Sequence, residues 1–162
     1  MEKKQERGFS LIELLIVVAI IGIIAAIAVP KLLVAQQAAR ELAAFGDVID
    51  IHRNQMLYKV TAGHGQFGDL SALSAQRLVD ETMATGRKGG YIYTSTPINV
   101  EGMEALFDTT AKPSSTGTFG TANRSYYNNE SLGQLVYEAD GGEPPSASPE
   151  DRAPKNGKPK TQ

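Results

Sequence analysis

The chain contains no cysteine and no tryptophan, and only two of its 162 residues are histidine. Without thiols it has no disulfide framework, no thiolate nucleophile and no Cys-ligated zinc. Two histidines are too few for a His-rich metal centre. Charge is also in short supply: 16 Lys+Arg stand against 18 Asp+Glu, a net charge of −2. No basic face of the kind an electrostatic nucleic-acid binder needs is apparent, so no nucleic acid is predicted as a partner. Catalytic patterns are missing as well. No Ser/His/acid trio stands at a recognised spacing, and there is no paired-carboxylate motif. The run Gly63-His64-Gly65 lacks the Gly-Lys-Ser/Thr ending of a phosphate loop. Neither catalytic residues nor cofactors are predicted, and the chain is not expected to be an enzyme.

What is present is unevenly distributed. Almost all strong hydrophobicity lies within residues 9–34, and five of the eight prolines follow Gly142. Residues 9–29 read FSLIELLIVVAIIGIIAAIAV, with one charge, Glu13, and one hydroxyl, Ser10. As a helix this run is about 31 Å long, the thickness of a bilayer core. A core helix of a soluble domain would need a polar face, and this run has none. A secretory signal has an apolar stretch of roughly 7–15 residues before a small-residue cleavage site. Here Ala25, Ala26 and Ala28 supply small residues, but the helical pattern continues through them. Lys3, Lys4 and Arg7 precede the span, which predicts a cytoplasmic N-terminus and translocation of the bulk of the chain.

Glu13 is the informative residue. A carboxylate well inside a span costs about 2.5–3.5 kcal/mol on insertion scales, and less near the interface. Two readings stand. The carboxylate can snorkel to the headgroups from one turn inside the helix, or it can meet a positive charge from another molecule at the same depth. A freshly exposed amino group at the start of the apolar run would supply that charge. Pro30 removes a backbone donor and crowds the preceding turn, and Gly22 adds freedom, so the helix between them is predicted to kink or loosen. Both are also tolerated in ordinary membrane helices.

The stretch Gly8-Phe9-Ser10-Leu11-Ile12-Glu13-Leu14-Leu15, continuing through Gly22 to Pro30, closely resembles the N-terminus of type IV prepilins. The related pseudopilins of type II secretion share it. The resemblance implies that Gly8 precedes the bond cut by a membrane-embedded prepilin peptidase. It implies that Phe9 becomes the N-methylated mature N-terminus. Glu13 would then pair with the Phe9 amino group of a neighbouring subunit during assembly. The implied partners are further copies of the chain, the peptidase, an inner-membrane assembly platform, and the membrane itself before assembly. The implied location is the inner membrane first and an extracellular pilus afterwards.

Beyond Pro30 the pattern changes. Leu42, Phe45, Ile49, His52 and Met56 recur at spacings of 3, 4, 3 and 4, the stripe of an amphipathic helix. It is predicted to continue the apolar helix to about residue 58. His52 on that stripe reads as a core histidine rather than a metal ligand, and His64 as exposed. Glycines at 63, 65 and 68 end the helix, and Leu70, Leu73, Leu78, Val79 and Met83 predict one or two short helices. Aromatic and β-branched residues then predict strands at 91–96, 105–111, 119–128 and 132–139. The expected fold is α+β: a long N-terminal helix, membrane-spanning in its first half and amphipathic in its second, packed on a small C-terminal antiparallel sheet. The expected divisions are a cleaved leader at 1–8, an assembly helix at 9–30, an amphipathic helix at 31–60, a globular region at 61–140, and a disordered Pro/Gly/Lys-rich tail at 141–162.

Three functions compete on these features. The first is a structural subunit of a type IV pilus. The second is a minor pilin or a type II secretion pseudopilin. The third is an enzyme or receptor tethered by a plain membrane anchor, for which the soluble part offers no constellation. Major pseudopilins resembling this chain often carry a calcium site near the C-terminus. Glu138, Asp140 and Glu143 are the nearest acids here, and they read as ordinary surface acids. Asn123-Arg124-Ser125 and Asn129-Glu130-Ser131 match short glycosylation sequons, a pattern of little weight by itself.

Overall fold

The structure is a computed structural model that describes residues 8–98, 104–147, 154 and 157–160. The chain divides into two units, Met1–Ala35 and Gln36–Gln162. One helix, α1 (Leu11–Val60), contributes to both.

In the first unit, α1 opens on an N-cap serine and a Glu three residues on, then runs through Leu, Ile, Val and Ala. Helical assignment is continuous through Gly22 and Pro30. Pro30 donates no N–H to the Ala26 carbonyl, one turn back. Side chains are exposed on every side of this segment, from Phe9 (86 %) through Leu15 and Ile20 to Val34 (62 %). Among the described residues α1 is the one helix long and apolar enough to cross a bilayer. Residues 1–7 of the expected leader lie outside the described residues.

In the second unit the remainder of α1 has one buried stripe. Ala44, Phe45, Val48, Ile49, Ile51 and His52 face inward. The predicted stripe is confirmed at its centre. Leu42 is 67 % exposed instead, because the sheet is met by Glu41, Ala44 and Phe45 on the neighbouring face. Two short helices follow: α2 (Leu70–Ala75) and α3 (Glu81–Ala84). Each starts on an aspartate that accepts the N–H three residues on, Asp69 from Ala72 at 2.8 Å and Asp80 from Met83 at 2.6 Å. The Thr82 hydroxyl, then the Met83 amide, hold the Asp80 carboxyl down to about 2.

The sheet is an antiparallel meander in sequence order: β1 (Arg87–Lys88), β2 (Tyr91–Ile98), β3 (Leu106–Pro113), β4 (Arg124–Asn129), β5 (Val136–Asp140) and β6 (Lys158–Lys160). Alternation sets its faces. Tyr91, Tyr93 and Ser95 of β2 and Phe107, Thr109 and Ala111 of β3 point inward. Tyr91 pairs with Pro113 and Ile98 with Leu106, so the two strands match along their whole length. The inward tyrosines pack on α1, with Phe45 edge-on to Tyr126 at 6.1 Å between ring centroids. Each aromatic buried this way contributes about 1.5–3 kcal/mol. A second cluster sets Phe67 against Phe107 at 4.7 Å, beside Met56.

Two strand expectations are corrected. Residues 119–123 are not strand, because Gly117 takes a φ of +95° and Thr121 bonds back to Ser115, closing a loop that leaves Phe119 exposed. Residues 132–135 form a turn, with the Asn128 amide bonding the Gly133 and Leu135 carbonyls. Within the segment expected to be disordered, Lys158–Lys160 form β6 against β5. Lys160 supplies the reason: its ammonium lies 3.2 Å from Glu138 and over the rings of Phe45 and Tyr126 at 5.2 and 5.3 Å. The tail residues 148–153, 155, 156, 161 and 162 lie outside the described residues.

Two buried polar groups make the second unit testable. Gln55 is fully buried, and its amide bonds both the carbonyl and the N–H of Gly68 and the Ser95 hydroxyl. Gln55→Ala leaves these groups unpaired at a cost of about 2 kcal/mol. Melting followed by the near-UV signal of the tyrosines should fall by roughly 5–10 °C. An unchanged midpoint would show that Gln55 does not fix this region. His52 is buried with Nδ1 2.7 Å from Asn128 Oδ1. Because the Asn128 amide nitrogen donates elsewhere, Nδ1 carries the proton. Desolvation pulls the imidazole below its ordinary 6.5, against the opposing pull of Asn128 and Glu130. The unfolded chain therefore binds a proton below about pH 6.5 before the folded one does, and stability falls as pH drops through that value. Melting at pH 7 and pH 5.5 should show this loss, and His52→Gln should remove the step.

Candidate functional site

The site is the start of α1. Gly8, Phe9, Ser10 and Glu13 are all exposed. The backbone N–H of Ser10 donates to Glu13 Oε2 at 2.8 Å, and the Leu14 N–H reaches the Ser10 carbonyl at 3.3 Å. Ser10-Leu11-Ile12-Glu13 thus forms the carboxylate half of a capping box, in which the third helical residue satisfies the amide of the cap. An ionised carboxylate has room for about four donors, so one N–H leaves capacity for a further cation. The helix N-terminus also favours negative charge at this position.

Covalent chemistry decides what that carboxylate can meet. While Gly8 is joined to Phe9, the Phe9 nitrogen is an uncharged amide. Cleavage between them would turn it into an ammonium one residue before the capped amide. The site would then hold a carboxylate and an ammonium at the start of the apolar run, where an ion pair is screened least. This acid–base pair cannot exist in the uncut chain.

The glycines sharpen the reading. A Cβ added at Gly8 or Gly22 would meet nothing within 4 Å, and neither residue has a positive φ. The fold of a single chain gives no steric reason for either glycine. Phe9 is 86 % exposed, so it too has no packing role within the chain. The residues singled out in the sequence at 8, 9, 13 and 22 are thus unexplained by intrachain packing, while Glu13 has one intrachain bond.

Other clusters are occupied by internal pairs. Lys88 bonds Asp47 at 2.8 Å and Asp80 at 3.3 Å, and the Tyr93 hydroxyl donates to Asp47 at 2.9 Å. The Asp47 hydrogen bond, outweighing desolvation, raises the Lys88 pKa. This group ties α1 to β1, β2 and the cap of α3. The acids weighed as calcium ligands are dispersed onto cations: Glu138 onto Arg124 and Lys160, Asp140 onto Arg124, Glu143 onto Lys112. Among the described residues no three His, Cys, Asp or Glu side chains are grouped to hold a metal ion. Asn129 is fully buried and bonds the Tyr127 hydroxyl, while Asn123 is exposed and accepts from Gly117.

Sequence reasoning missed the Ser10–Glu13 cap. Its signal was available, since Ser-x-x-Glu ahead of an apolar run is the capping-box pattern. The membrane length of the run drew attention to the cost of the carboxylate instead.

Comparison with known proteins bears on this segment. Residues 3–29 match the family described as the prokaryotic N-terminal methylation motif. The chain is 38 % identical over 60 residues to the type II secretion system core protein G of Pseudomonas aeruginosa, covering 37 % of this chain and 42 % of that protein. It is 29 % identical over 94 residues to the type II secretion system core protein G of Aeromonas hydrophila, covering 57 % and 66 %. It is 40 % identical over 57 residues to the type IV wide pilus major component PilA4 of Thermus thermophilus, covering 35 % and 44 %. The matched regions thus span between 42 % and 66 % of the length of these relatives. No solved structure matches.

Proposed function

We infer that this chain, whose motif and relatives support the type IV pilin/pseudopilin family, is a structural subunit that polymerises through its N-terminal helix into a type IV pilus. The observation that carries the reading is Glu13, the single charge in an apolar run exposed on every side. Processing by a prepilin peptidase, which the motif implies, removes residues 1–8 and frees the Phe9 amine, which is then N-methylated. The Glu13 carboxylate of one subunit pairs with the Phe9 ammonium of another. That pairing selects processed subunits and fixes their axial register. Before assembly the span resides in the inner membrane with its N-terminus in the cytoplasm, at the assembly platform. Afterwards the same surface packs against other copies, and the exchange of one apolar surrounding for another costs little hydrophobic free energy. The unexplained Gly8 and Gly22 support this reading: one admits a protease to the backbone, the other admits a neighbouring helix or lets the helix loosen together with Pro30.

A second reading has its own support. Two of the relatives are type II secretion core proteins, so the same assembly chemistry would serve a pseudopilin fibre. Both readings give the chain a structural rather than catalytic role.

Two Glu13 variants separate capping from pairing. Glu13→Gln keeps an acceptor for the Ser10 amide but removes the charge. Glu13→Val removes both. If interchain pairing governs assembly, both variants insert in the membrane and both lose filaments by about tenfold or more in sheared yield, the equivalent of roughly 1.4 kcal/mol. Normal filaments from Glu13→Gln would show that the cap alone matters. Gly8→Leu should leave the full-length form in the membrane, detected as unprocessed chain by immunoblot. Processing at a normal rate would remove the peptidase from the account.

A further inference from the structure

Phe119 is 87 % exposed, more than any other large apolar side chain in the second unit. It sits in a loop with unusual internal satisfaction. Between Pro113 and Asn123 there is no Asp, Glu, Lys, Arg or His. Three of the loop's amides are bonded within it: Gly117 N–H to Asn123 Oδ1 at 2.8 Å, Gly120 to the Gly117 carbonyl at 3.0 Å, Thr121 to the Ser115 carbonyl at 2.9 Å. The Ser114 and Ser115 hydroxyls each lie 2.9 Å from that of Thr121. A buried glutamine, Gln37, donates its amide to the carbonyls of Gly117, Thr118 and Gly120 at 2.8, 3.3 and 3.0 Å. The carbonyls flanking Phe119 are therefore held, and the phenyl ring alone is offered outward.

Chain connectivity says where that ring is offered. Gln37 stands eight residues after Val29, where the predicted span ends, on the same helix α1. Eight helical residues rise about 12 Å. The headgroup layer on each side of the hydrocarbon is itself several ångströms thick. A loop bonded to Gln37 is thus held close to the membrane surface wherever the helix emerges. A segment without charges, with the Gly117, Thr118 and Gly120 carbonyls and the Gly117, Gly120 and Thr121 amides bonded, carries few open polar groups into a layer that can itself hydrogen-bond. An aromatic side chain on such a segment is suited to the interface.

We propose that residues 114–123 form a membrane-surface contact in which Phe119 enters the lipid headgroup layer. The occupant is a phospholipid surface, and the contact restrains the soluble unit until the subunit leaves the membrane. This inference rests on the reading that residues 9–29 span a bilayer.

The absence of cysteine permits single-site labelling of the full chain. Thr118→Cys, Ile20→Cys and Gln66→Cys each receive an environment-sensitive fluorophore, in vesicles of phosphatidylethanolamine and phosphatidylglycerol with nitroxides at the headgroup or mid-acyl level. The expected result is acyl-level quenching at position 20, headgroup-level quenching at 118 and neither at 66. Adding Phe119→Ser to the Thr118→Cys chain should cut the headgroup quenching by about half or more, as loss of an apolar interfacial anchor requires. Quenching at 20 with 118 as silent as 66 would overturn the loop contact and leave the span standing. No quenching at 20 would overturn the span and the contact with it. Undiminished quenching with Phe119→Ser would overturn the anchoring role. A signal at 118 that appears only at high protein-to-lipid ratio would overturn the lipid assignment in favour of a second copy of the chain.

Discussion

The constraint on which the molecule depends is the apolar surface of α1 ahead of the soluble unit. Sixteen large apolar side chains between Phe9 and Val34 are exposed around the whole helix. Removing such side chains from water contributes on the order of 20 kcal/mol in sum, even with each only partly accessible. A domain's net stability is about 5–15 kcal/mol. A surface of this size calls for an apolar surrounding, and under the proposed function lipid and then other copies of the chain supply it. Glu13 matters because it is the one group on that surface whose electrostatic requirement differs between the two settings. Its bond to the Ser10 amide takes up part of its accepting capacity within one chain, and under the proposed function a cleaved neighbour would offer it a full charge.

The second unit addresses a different problem, the fixing of its connections without disulfides. Three buried amides take that role. Gln37 gathers the carbonyls of the 117–120 turn, Gln55 clamps Gly68 to Ser95, and Asn128 holds the 133–135 turn while accepting from His52. Gln37 and Gln55 join α1 to chain as far as 83 and 40 residues away, and Asn128 links His52, 76 residues back, to a turn 5–7 residues on. Charged pairs then close the edges: Lys88 at the β1 side, and Arg124, Glu138 and Lys160 at the β6 side. The outer strand β6 is three residues long with a proline at its centre, which discourages a further strand from adding there.

What was legible in the sequence followed periodicity. The apolar run, the stripe through Phe45, Ile49 and His52, and the alternation of Tyr91, Tyr93 and Ser95 all appear in the structure where the pattern placed them. What was not legible depended on contacts across long separations. Phe119 read as the start of a strand, because the hydrogen bonds that fold 114–123 on itself and onto Gln37 have no local signature beyond two glycines. Leu132 and Leu135 read as strand because their apolar side chains masked a local turn, in which their N–H groups bond the Asn129 and Leu132 carbonyls and Gly133 takes a φ of +60°. Lys158–Lys160 carried no apolar signal at all, since its docking relies on one ammonium over two rings and beside one carboxylate. At the N-terminus the family resemblance named Gly8, Phe9 and Glu13, but it said nothing of the cap that occupies Glu13 within one chain.

The central claim is that this surface is transferred from membrane to polymer only after the chain is cut. The most direct measurement is intact-mass and N-terminal peptide mass spectrometry on two fractions of the source cells, sheared surface material and membranes. The account predicts that sheared material consists of chains beginning at methylated Phe9, with the uncut form confined to membranes. Polymer built from chains that still carry residues 1–8 would contradict it.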